Sequence, residues 1–254
     1  MGYEAHAVFE KPSDENATMW RYMSFSTFIC LMQRSQLYFT VLDQLEDVHE
    51  ATLPWAYLST WDPRIVAGFH QERKANAVNC WHLNENESAL MWKAYGTSKE
   101  GIAIRSAFAR LTRAFTDSDE NNWSCGEPVH VGTVRYIDFK TTTKEQLDEI
   151  IKRPDNAFFP MLYKRDYFKH EQEVRAVLSP KPGGMLYEAF RQDAMRGIGV
   201  PVDLDVLIER IYVAPAAEDW FYRTNAALSR KGHGAVQRST IGRKRLPVRV
   251  IVKR

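Results

Sequence analysis

No apolar run in this 254-residue sequence approaches the roughly 20 residues that a membrane-spanning helix needs. The first residues also lack a basic stretch followed by an apolar one, which is the pattern of a secretory signal. The first absence excludes a transmembrane helix, and the second excludes a signal peptide. We therefore expect a soluble, cytoplasmic protein with no membrane partner.

Cysteine is scarce, and the three that are present, Cys30, Cys80 and Cys125, form an odd set without Cys-x-x-Cys spacing. An odd count without this spacing argues against both a disulfide scaffold and a thiolate zinc site, so these residues are expected to be free thiols. The histidines show no ligand spacing with one another either. We therefore expect no metal site.

The fold must instead rest on an apolar core, since 44% of the residues are hydrophobic and 26% are charged, as is typical of globular proteins. Helical and strand patterns follow each other without a repeat, a linker or regular alternation. The prediction is an α+β fold, a single domain with mixed, mainly antiparallel sheets and flanking helices. It covers residues 18–254, because residues 1–17 lack hydrophobic periodicity and indicate a flexible N-terminal arm.

Periodicity and capping residues place the individual elements. The predicted helices are Ser24 to about Ser35 with Ser24 as N-cap, a short helix through Trp92 and Tyr95 that stops at Gly96, Phe108–Phe115, Leu147–Ile151, and a helix through Trp220 and Leu228. The predicted strands are Leu37–Thr40, Asn76–Leu83, Gly101–Arg105, Val129–Ile137, His170–Leu178, Ile198–Val202, Arg210–Val213 and Val248–Val252.

The net charge of +2 conceals a basic C-terminal segment, residues 221–254, which holds ten Lys or Arg residues and no Asp or Glu. The preceding residues carry a balance of −8. A local cationic surface attracts phosphates of a nucleotide or of nucleic acid. The alternative is that these residues neutralise the acidic remainder of the fold.

The segment from His170 to Leu178 is the most informative for chemistry. As a strand it would place Glu171, Glu173 and Arg175 on one face and apolar residues on the other. Two neighbouring carboxylates beside a guanidinium are typical of a tuned site. A solvated polar face of an edge strand is the alternative.

A second segment joins the end of a strand, at His82, to an aromatic helix. Trp92 and Tyr95 are three residues apart and share one helical face. These three side chains could form a stacking site for a flat ring. They could equally be ordinary core residues.

Further polar residues lie around the first helix. Arg21 and Tyr22 precede it, and Tyr38 follows it. An Arg beside aromatic rings suits phosphate or carboxylate binding, or a surface salt bridge. The acidic residues Asp43, Glu46, Asp47 and Glu50 have helical spacing, which would suit a divalent metal if the stretch were helical, although a solvated acidic face is the commoner arrangement.

These segments, taken in order, resemble a family of uncharacterised bacterial proteins, a domain of unknown function that is found near mobile elements and phage-defence genes. The resemblance spans residues 20–241. It rests on Arg21-Tyr22-Met23-Ser24-Phe25, Leu37-Tyr38-Phe39-Thr40, Cys80-Trp81-His82, Met91-Trp92 with Tyr95-Gly96, Tyr163-Lys164-Arg165, Phe168 with Glu171-Gln172-Glu173-Val174-Arg175, and Tyr212-Val213-Ala214-Pro215.

More distantly, the late strand with Glu-x-Glu is similar to that of ADP-ribosyltransferases of the Arg-Ser-Glu type, although Cys80 and His82 stand where a Ser is expected. This resemblance implies NAD as substrate and a protein or nucleic-acid acceptor, with a role in phage defence or as a toxin. It implies that Glu173 is the catalytic carboxylate and that Glu171 orients the nucleophile. The residues implied to bind the cofactor are Arg21, Tyr22, Tyr38, His82, Trp92, Tyr95 and Arg175.

Two other functions fit the sequence. One is a nucleic-acid-binding or nuclease-like protein that uses residues 221–254 against a phosphate backbone. The other is a non-enzymatic protein-interaction module. Conversion of NAD separates the enzyme from both.

Overall fold

The structure is a computed structural model that describes residues 2–47, 49–52, 54, 63–96, 99–115, 127–151, 158–229 and 235–241. Its strands are β1 (Thr18–Ser24), β2 (Gln36–Val41), β3 (Ala77–Leu83), β4 (Gly101–Ala107), β5 (Val129–Thr133), β6 (Arg135–Ile137), β7 (Tyr163–Arg165), β8 (Glu173–Leu178), β9 (Gly197–Pro201), β10 (Arg210–Val213) and β11 (Ala235–Arg238). Its helices are α1 (Phe25–Arg34), α2 (Pro63–Ala75), α3 (Ala89–Tyr95), α4 (Phe108–Ala114), α5 (Lys144–Ile151), α6 (Phe159–Leu162), α7 (Met185–Arg191), α8 (Leu204–Leu207) and α9 (Asp219–Ser229). Two short 3-10 helices span Leu42–Gln44 and Asp166–Glu171.

One large mixed sheet organises this part of the chain. Seven strands follow the order β11-β10-β4-β1-β3-β2-β9, and β8 joins β3 to β5. Every pairing in it is antiparallel except that of β10 with β11. The predicted α+β fold with a mainly antiparallel sheet is therefore confirmed.

Local signals account for the first helix. The Ser24 side chain accepts a hydrogen bond from the backbone N–H of Thr27, as an N-cap does. The helix ends where Ser35 adopts a left-handed conformation. Its apolar side bears Phe28 and Leu31, which are buried in the main core against the sheet.

The sheet splits at β3, and this split positions the candidate site. β8 pairs along residues 77–82 of β3 and so occupies one edge of that strand. The opposite edge is shared, because β2 pairs with Ala77 and Val78, whereas β1 pairs with His82 and Leu83. The middle of β3 is thus left without a strand partner on this edge, and its polar backbone atoms are free to bind side chains.

Three predicted elements differ from the observed ones. The strand expected over Val129–Ile137 is two strands interrupted at Val134, of which the second pairs with β7 in a separate two-stranded sheet. The strand expected from His170 begins only at Glu173, after the 3-10 helix. The expected strand Val248–Val252 and much of the basic segment 221–254 lie outside the described residues.

Residues 2–17, expected to form a flexible arm, make specific contacts with β5. Tyr3 forms a β-bridge with Val129, and the backbone N–H of Glu4 donates to the Val129 carbonyl. Phe9 is buried in a second core cluster. These apolar side chains pack against the core clusters, and the flexibility of the arm stays a prediction. The domain boundary at residue 18 stays a prediction.

Gly132 shows how closely this segment packs. A Cβ atom at Gly132 would lie 2.9 Å from both Cα and Cβ of Phe9. We expect Gly132→Ala to lower the free energy of unfolding by about 1–3 kcal/mol, because the segment must move away. Urea denaturation measures this change. The control is Gly68→Ala, at a helical position with no atom within 4 Å, which we expect to stabilise by about 0.5–1 kcal/mol. An unchanged Gly132→Ala midpoint would contradict the packing.

Among the described residues, each helix is too short or too polar to span a membrane. Cys30 and Cys80 are free thiols, as expected, and Cys125 lies outside the described residues.

Candidate active site

A cavity of about 440 Å³ lies at the split in the sheet, a volume typical of small-molecule sites. Its walls come from β1, β2, β3, β7, β8 and α3, from the loop after β2, and from the segment that joins β7 to β8. Seven of the nine predicted site residues line it. They are Arg21, Tyr22, His82, Tyr95, Glu171, Glu173 and Arg175.

Arg21 projects from β1 across the split. Its Nη1 donates a hydrogen bond of 2.6 Å to the carbonyl of Cys80, in the part of β3 that lacks a strand partner. Burial lowers the pKa of Arg21, but the guanidinium stays protonated at neutral pH. Since a guanidinium has five N–H donors, Arg21 can bind an anionic or hydroxyl group in the cavity while it holds Cys80.

Glu171 lines the cavity from an element that differs from the predicted strand. It ends the 3-10 helix instead of lying on the strand, and the next residue, Gln172, has a left-handed φ of 41°. This turn breaks the alternation expected of a strand. Glu171 Oε1 accepts from the Tyr95 hydroxyl at 2.8 Å, and Oε2 accepts from Lys164 Nζ at 2.6 Å.

Glu173 and Arg175 form a buried pair on β8, which is an interior strand and not a solvated edge. Arg175 donates from Nε to Glu173 Oε1 at 2.7 Å and from Nη2 to Glu173 Oε2 at 3.0 Å. Burial by itself would raise the pKa of Glu173, but Arg175 and Lys164 outweigh it and lower that pKa to about 2. Glu173 is therefore a carboxylate at neutral pH.

Glu50 and Lys164, which are not among the nine predicted site residues, complete the cluster. Glu50 accepts from Arg175 Nη2 at 2.8 Å and lies 3.2 Å from Lys164 Nζ. Lys164 also contacts Glu171 and Glu173. We call Glu50, Lys164, Glu171, Glu173 and Arg175 the buried ion cluster. The sequence signal for Lys164 is its place in one of the motifs that carry the family resemblance.

The resemblance implies that Arg175 binds the cofactor, but its donors are directed at protein groups. Besides the bonds to Glu173 and Glu50, Nη1 donates to the Met161 carbonyl at 2.8 Å. The side chain is fully buried. Such a residue holds its carboxylate partners in place, because few donors remain for a ligand.

His82 is a buried, neutral imidazole at the cavity wall. Its Nδ1 lies 2.5 Å from the Glu171 carbonyl, so Nδ1 carries the proton and donates it there. Burial lowers the pKa of His82, which keeps the ring neutral at pH 7. Its Nε2 is buried and has no hydrogen-bond partner among the described residues. A ligand N–H or O–H could supply that partner.

Aromatic rings form much of the rest of the wall. Tyr22 packs edge-on against Trp92, with 5.0 Å between ring centroids, and its hydroxyl accepts from the backbone N–H of Ser88. Trp92 does not line the cavity. Its Nε1 donates to Glu87, which holds Trp92 against the ring of Tyr22, and the Tyr22 ring lines the cavity.

Tyr38 lies outside the cavity. It is 49% exposed, and its hydroxyl end stands 2.6 Å from where a Cβ of Gly197 would be. Tyr38 therefore covers β9, the strand beside β2, instead of the cavity. Thr40, two residues further along β2, is the residue of this strand that lines the wall.

The acidic stretch after β2 is not a helical carboxylate face. Of the residues described in this stretch, only Leu42–Gln44 are helical; Asp47 pairs with Arg165 at 2.9 Å, and Glu50 enters the buried ion cluster. Within the described ranges, no group of three or more His, Cys, Asp or Glu residues is arranged to hold a metal ion.

Comparison with known proteins gives one family match. The family model described as "Protein of unknown function (DUF2971)" matches residues 91–176, which include Tyr95, Lys164, Glu171, Glu173 and Arg175. For this part of the chain it confirms the resemblance to a family of unknown function. No curated protein matches the chain in sequence.

Solved structures of DarT from Thermus sp. 2.9 are similar to the chain in fold. The complex with NAD+ is 11% identical with a TM-score of 0.39, and the match covers 89% of this chain and 97% of that one. The complex with carba-NAD+ is 10% identical with a TM-score of 0.38, over 89% and 96%. The complex with ADP-ribosylated ssDNA is 11% identical with a TM-score of 0.39, over 89% and 95%.

Proposed function

We propose that this protein is an NAD-cleaving enzyme of the ADP-ribosyltransferase kind. The observation that carries the proposal is the convergence of Arg21, His82, Tyr95, Glu171 and Glu173 on one cavity, although four separate segments of the chain supply them. Together they provide a cation, a neutral hydrogen-bonding ring, an aromatic face and two carboxylates.

The charge of the cavity supports this chemistry. Its lining holds five carboxylates, from Glu46, Asp47, Glu50, Glu171 and Glu173, against three cationic side chains. The oxidised nicotinamide ring of NAD is flat and positively charged, so it suits aromatic faces beside an excess of carboxylates. The same excess favours the positive charge that develops on the ribose as the ring departs.

Each residue then has a defined task. The glycosidic C–N bond breaks, nicotinamide leaves with the electron pair, and C1 of the ribose becomes oxocarbenium-like. Glu173, held as a carboxylate, stabilises that charge. Glu171 orients the acceptor nucleophile, which forms the new bond to C1 and releases its proton to the solvent. His82 Nε2 accepts a hydrogen bond from the nicotinamide amide or a ribose hydroxyl.

Arg21 binds the anionic part of NAD in this arrangement. Its guanidinium is the cation of the cavity that lies outside the buried ion cluster, and its one hydrogen bond among the described residues is that to Cys80. A phosphate or a ribose hydroxyl can bind its remaining donors.

The test is incubation of the purified protein with NAD, with nicotinamide release measured alone and after addition of protein, RNA or ssDNA. We expect release by the wild type, and the additive that accelerates it identifies the acceptor class. Absence of release under every condition would overturn the proposal.

Arg21→Gln is expected to raise KM for NAD about 10- to 100-fold and to change kcat less. A hydrogen bond to a charged group contributes about 1.5–3 kcal/mol, and this one would be made to bound NAD in the ground state as well as in the transition state. Initial rates over a range of NAD concentrations measure the effect. The control is Arg34→Gln, at an exposed position at the end of α1. Equal KM values for the two variants would remove Arg21 from the site.

A further inference from the structure

Lys164 is a charged residue of the cavity wall to which the proposed chemistry gives no task. It lies on β7, and only 8% of its side chain is exposed. Its Nζ is 2.6 Å from Glu171 Oε2, 3.2 Å from Glu50 Oε2 and 3.4 Å from Glu173 Oε2. The ring of Phe168 covers the ammonium from 4.7 Å. One buried cation therefore contacts three carboxylates.

Lys164 and Arg175 contact different sets of carboxylates in the buried ion cluster. Arg175 bonds to Glu173 and Glu50 but makes no bond to Glu171. Within the described chain, Lys164 is the cation bonded to Glu171, and it also contacts Glu173. Two carboxylates so close together repel each other unless a cation lies between them. Lys164 occupies that position.

We propose that Lys164 is a positioning residue, whose ammonium group holds the Glu171 and Glu173 carboxylates at a fixed separation for the reaction. The inference rests on the proposed function. Lys164 contacts neither substrate nor reacting atoms in this account and acts through the two glutamates. Because its ammonium is compact, it can touch all three carboxylates at once.

The electrostatics of the cluster agree with this geometry. Burial would lower the pKa of Lys164, but Glu173 and Glu50 outweigh it and raise that pKa above its ordinary value. Lys164 is therefore charged at neutral pH. The other charged or titratable groups near the two glutamates are Arg21, Glu50, Cys80, His82, Tyr95, Tyr136 and Arg175.

Lys164→Met tests the proposal in the cleavage reaction. We expect kcat for nicotinamide release to fall about 100-fold with little change in KM, since a misplacement of about 1 Å has an effect of this size. The acidic limb of the pH–rate profile should move to higher pH, because Glu173 loses one of the two cations that lower its pKa. The control is Lys169→Met, which makes an equal charge change at an exposed position in the 3-10 helix Asp166–Glu171.

Chemical rescue separates positioning from a merely structural role. Lys164→Ala leaves a space where the ammonium stood, and ethylammonium added to the assay can enter it. We expect ethylammonium to restore part of the lost kcat, whereas ethanol, of similar size but uncharged, restores none. Rescue by neither compound, together with an unmoved pH–rate profile in Lys164→Met, would overturn the proposal.

A stability measurement tests the Lys164 contacts without NAD. Glu173 has a folded-state pKa of about 2, below its usual 4.5, so it contributes stability above pH 4.5 that is lost as the pH falls towards 2. Without Lys164 the folded-state pKa rises, and the loss in this range becomes smaller. Urea unfolding at several pH values should therefore show a shallower acid dependence for Lys164→Met than for Lys169→Met.

Nicotinamide release and acid-dependent stability distinguish a failure of the proposed function from a failure of the proposed role of Lys164. If the wild type releases no nicotinamide, the proposed function is wrong, and equal acid dependence of the two variants would then overturn the role of Lys164 as well. If Lys164→Met does not fold, the double variant Lys164→Met/Glu50→Gln replaces it, because it removes one cation and one carboxylate together and leaves the net charge of the cluster unchanged. The same kinetic and acid-stability results are expected of that variant.

Discussion

Glu173→Gln is expected to lower kcat for nicotinamide release by about 10²- to 10³-fold, the effect of removing one preorganised group that stabilises charge in a transition state. Glutamine keeps the shape of the side chain and an oxygen that can accept from Arg175 Nε. It loses the negative charge that we propose stabilises the oxocarbenium-like ribose. KM for NAD should change less than kcat, since that charge develops only as the bond breaks.

The matched control for Glu173→Gln is Glu15→Gln, which removes one carboxylate at an exposed position. Circular dichroism and thermal melting of both variants show whether the fold is retained. Activity of Glu173→Gln equal to that of Glu15→Gln would rule out Glu173 as the catalytic carboxylate.

If Glu173→Gln is unstable, Glu173→Asp tests the catalytic role of Glu173 in its place. Aspartate keeps the charge that Arg175 and Lys164 need, but its carboxylate is withdrawn by one methylene. We expect a stably folded variant whose kcat is lowered about 100-fold by the misplaced charge. A folded Glu173→Asp variant with wild-type kcat would contradict the proposed role.

The sequence predicts those features of the fold that depend on neighbours along the chain. Ser24 is recognisable as an N-cap because Ser side chains accept from the backbone two or three residues later, and the structure shows that bond to Thr27. The limits of β10, Arg210–Val213, are also predicted correctly. In both cases a short pattern carries the information.

The split of the sheet cannot be predicted in this way. That β1 and β2 share one edge of β3 depends on pairings between residues about 40 to 60 positions apart, such as Trp20 with His82 and Thr40 with Val78. Alternation along a single strand contains no information about its partners. The cavity exists because of that split, so its location cannot be predicted from the sequence either.

In the buried ion cluster, too, contacts between near neighbours in sequence can be predicted, whereas contacts between distant residues cannot. Glu173 and Arg175 are two residues apart on one strand, and alternation predicts their shared face. Glu50 is 125 residues from Arg175 and belongs to a stretch that the sequence assigns to an acidic surface, because no local pattern marks a carboxylate that will be buried against a distant cation. Tyr38 lies outside the cavity for the converse reason, since its strand is predicted but not the neighbouring strand that it covers.

Arg175→Met is expected to lower the free energy of unfolding by about 3–5 kcal/mol, the usual effect of removing one partner from a buried ion pair. Arg175 is fully buried and is bonded to Glu173, Glu50 and the Met161 carbonyl. Without it, the carboxylates of the buried ion cluster share only Lys164. Because domains are stable by about 5–15 kcal/mol, urea denaturation should show a large loss. Arg34→Met, at an exposed position, should change stability by less than about 0.5 kcal/mol.

The double variant Arg175→Met/Glu173→Gln identifies the cause of that loss. It removes one cation and one carboxylate, so the net charge of the buried ion cluster is the same as in the wild type. If unpaired charge is responsible, the double variant will be more stable than Arg175→Met alone, with a coupling energy of about 1–3 kcal/mol. If the two changes simply add, Arg175 contributes through packing, and the charge of Glu173 does not depend on it. The outcome therefore decides whether Arg175 helps to keep the carboxylate of Glu173 ionised.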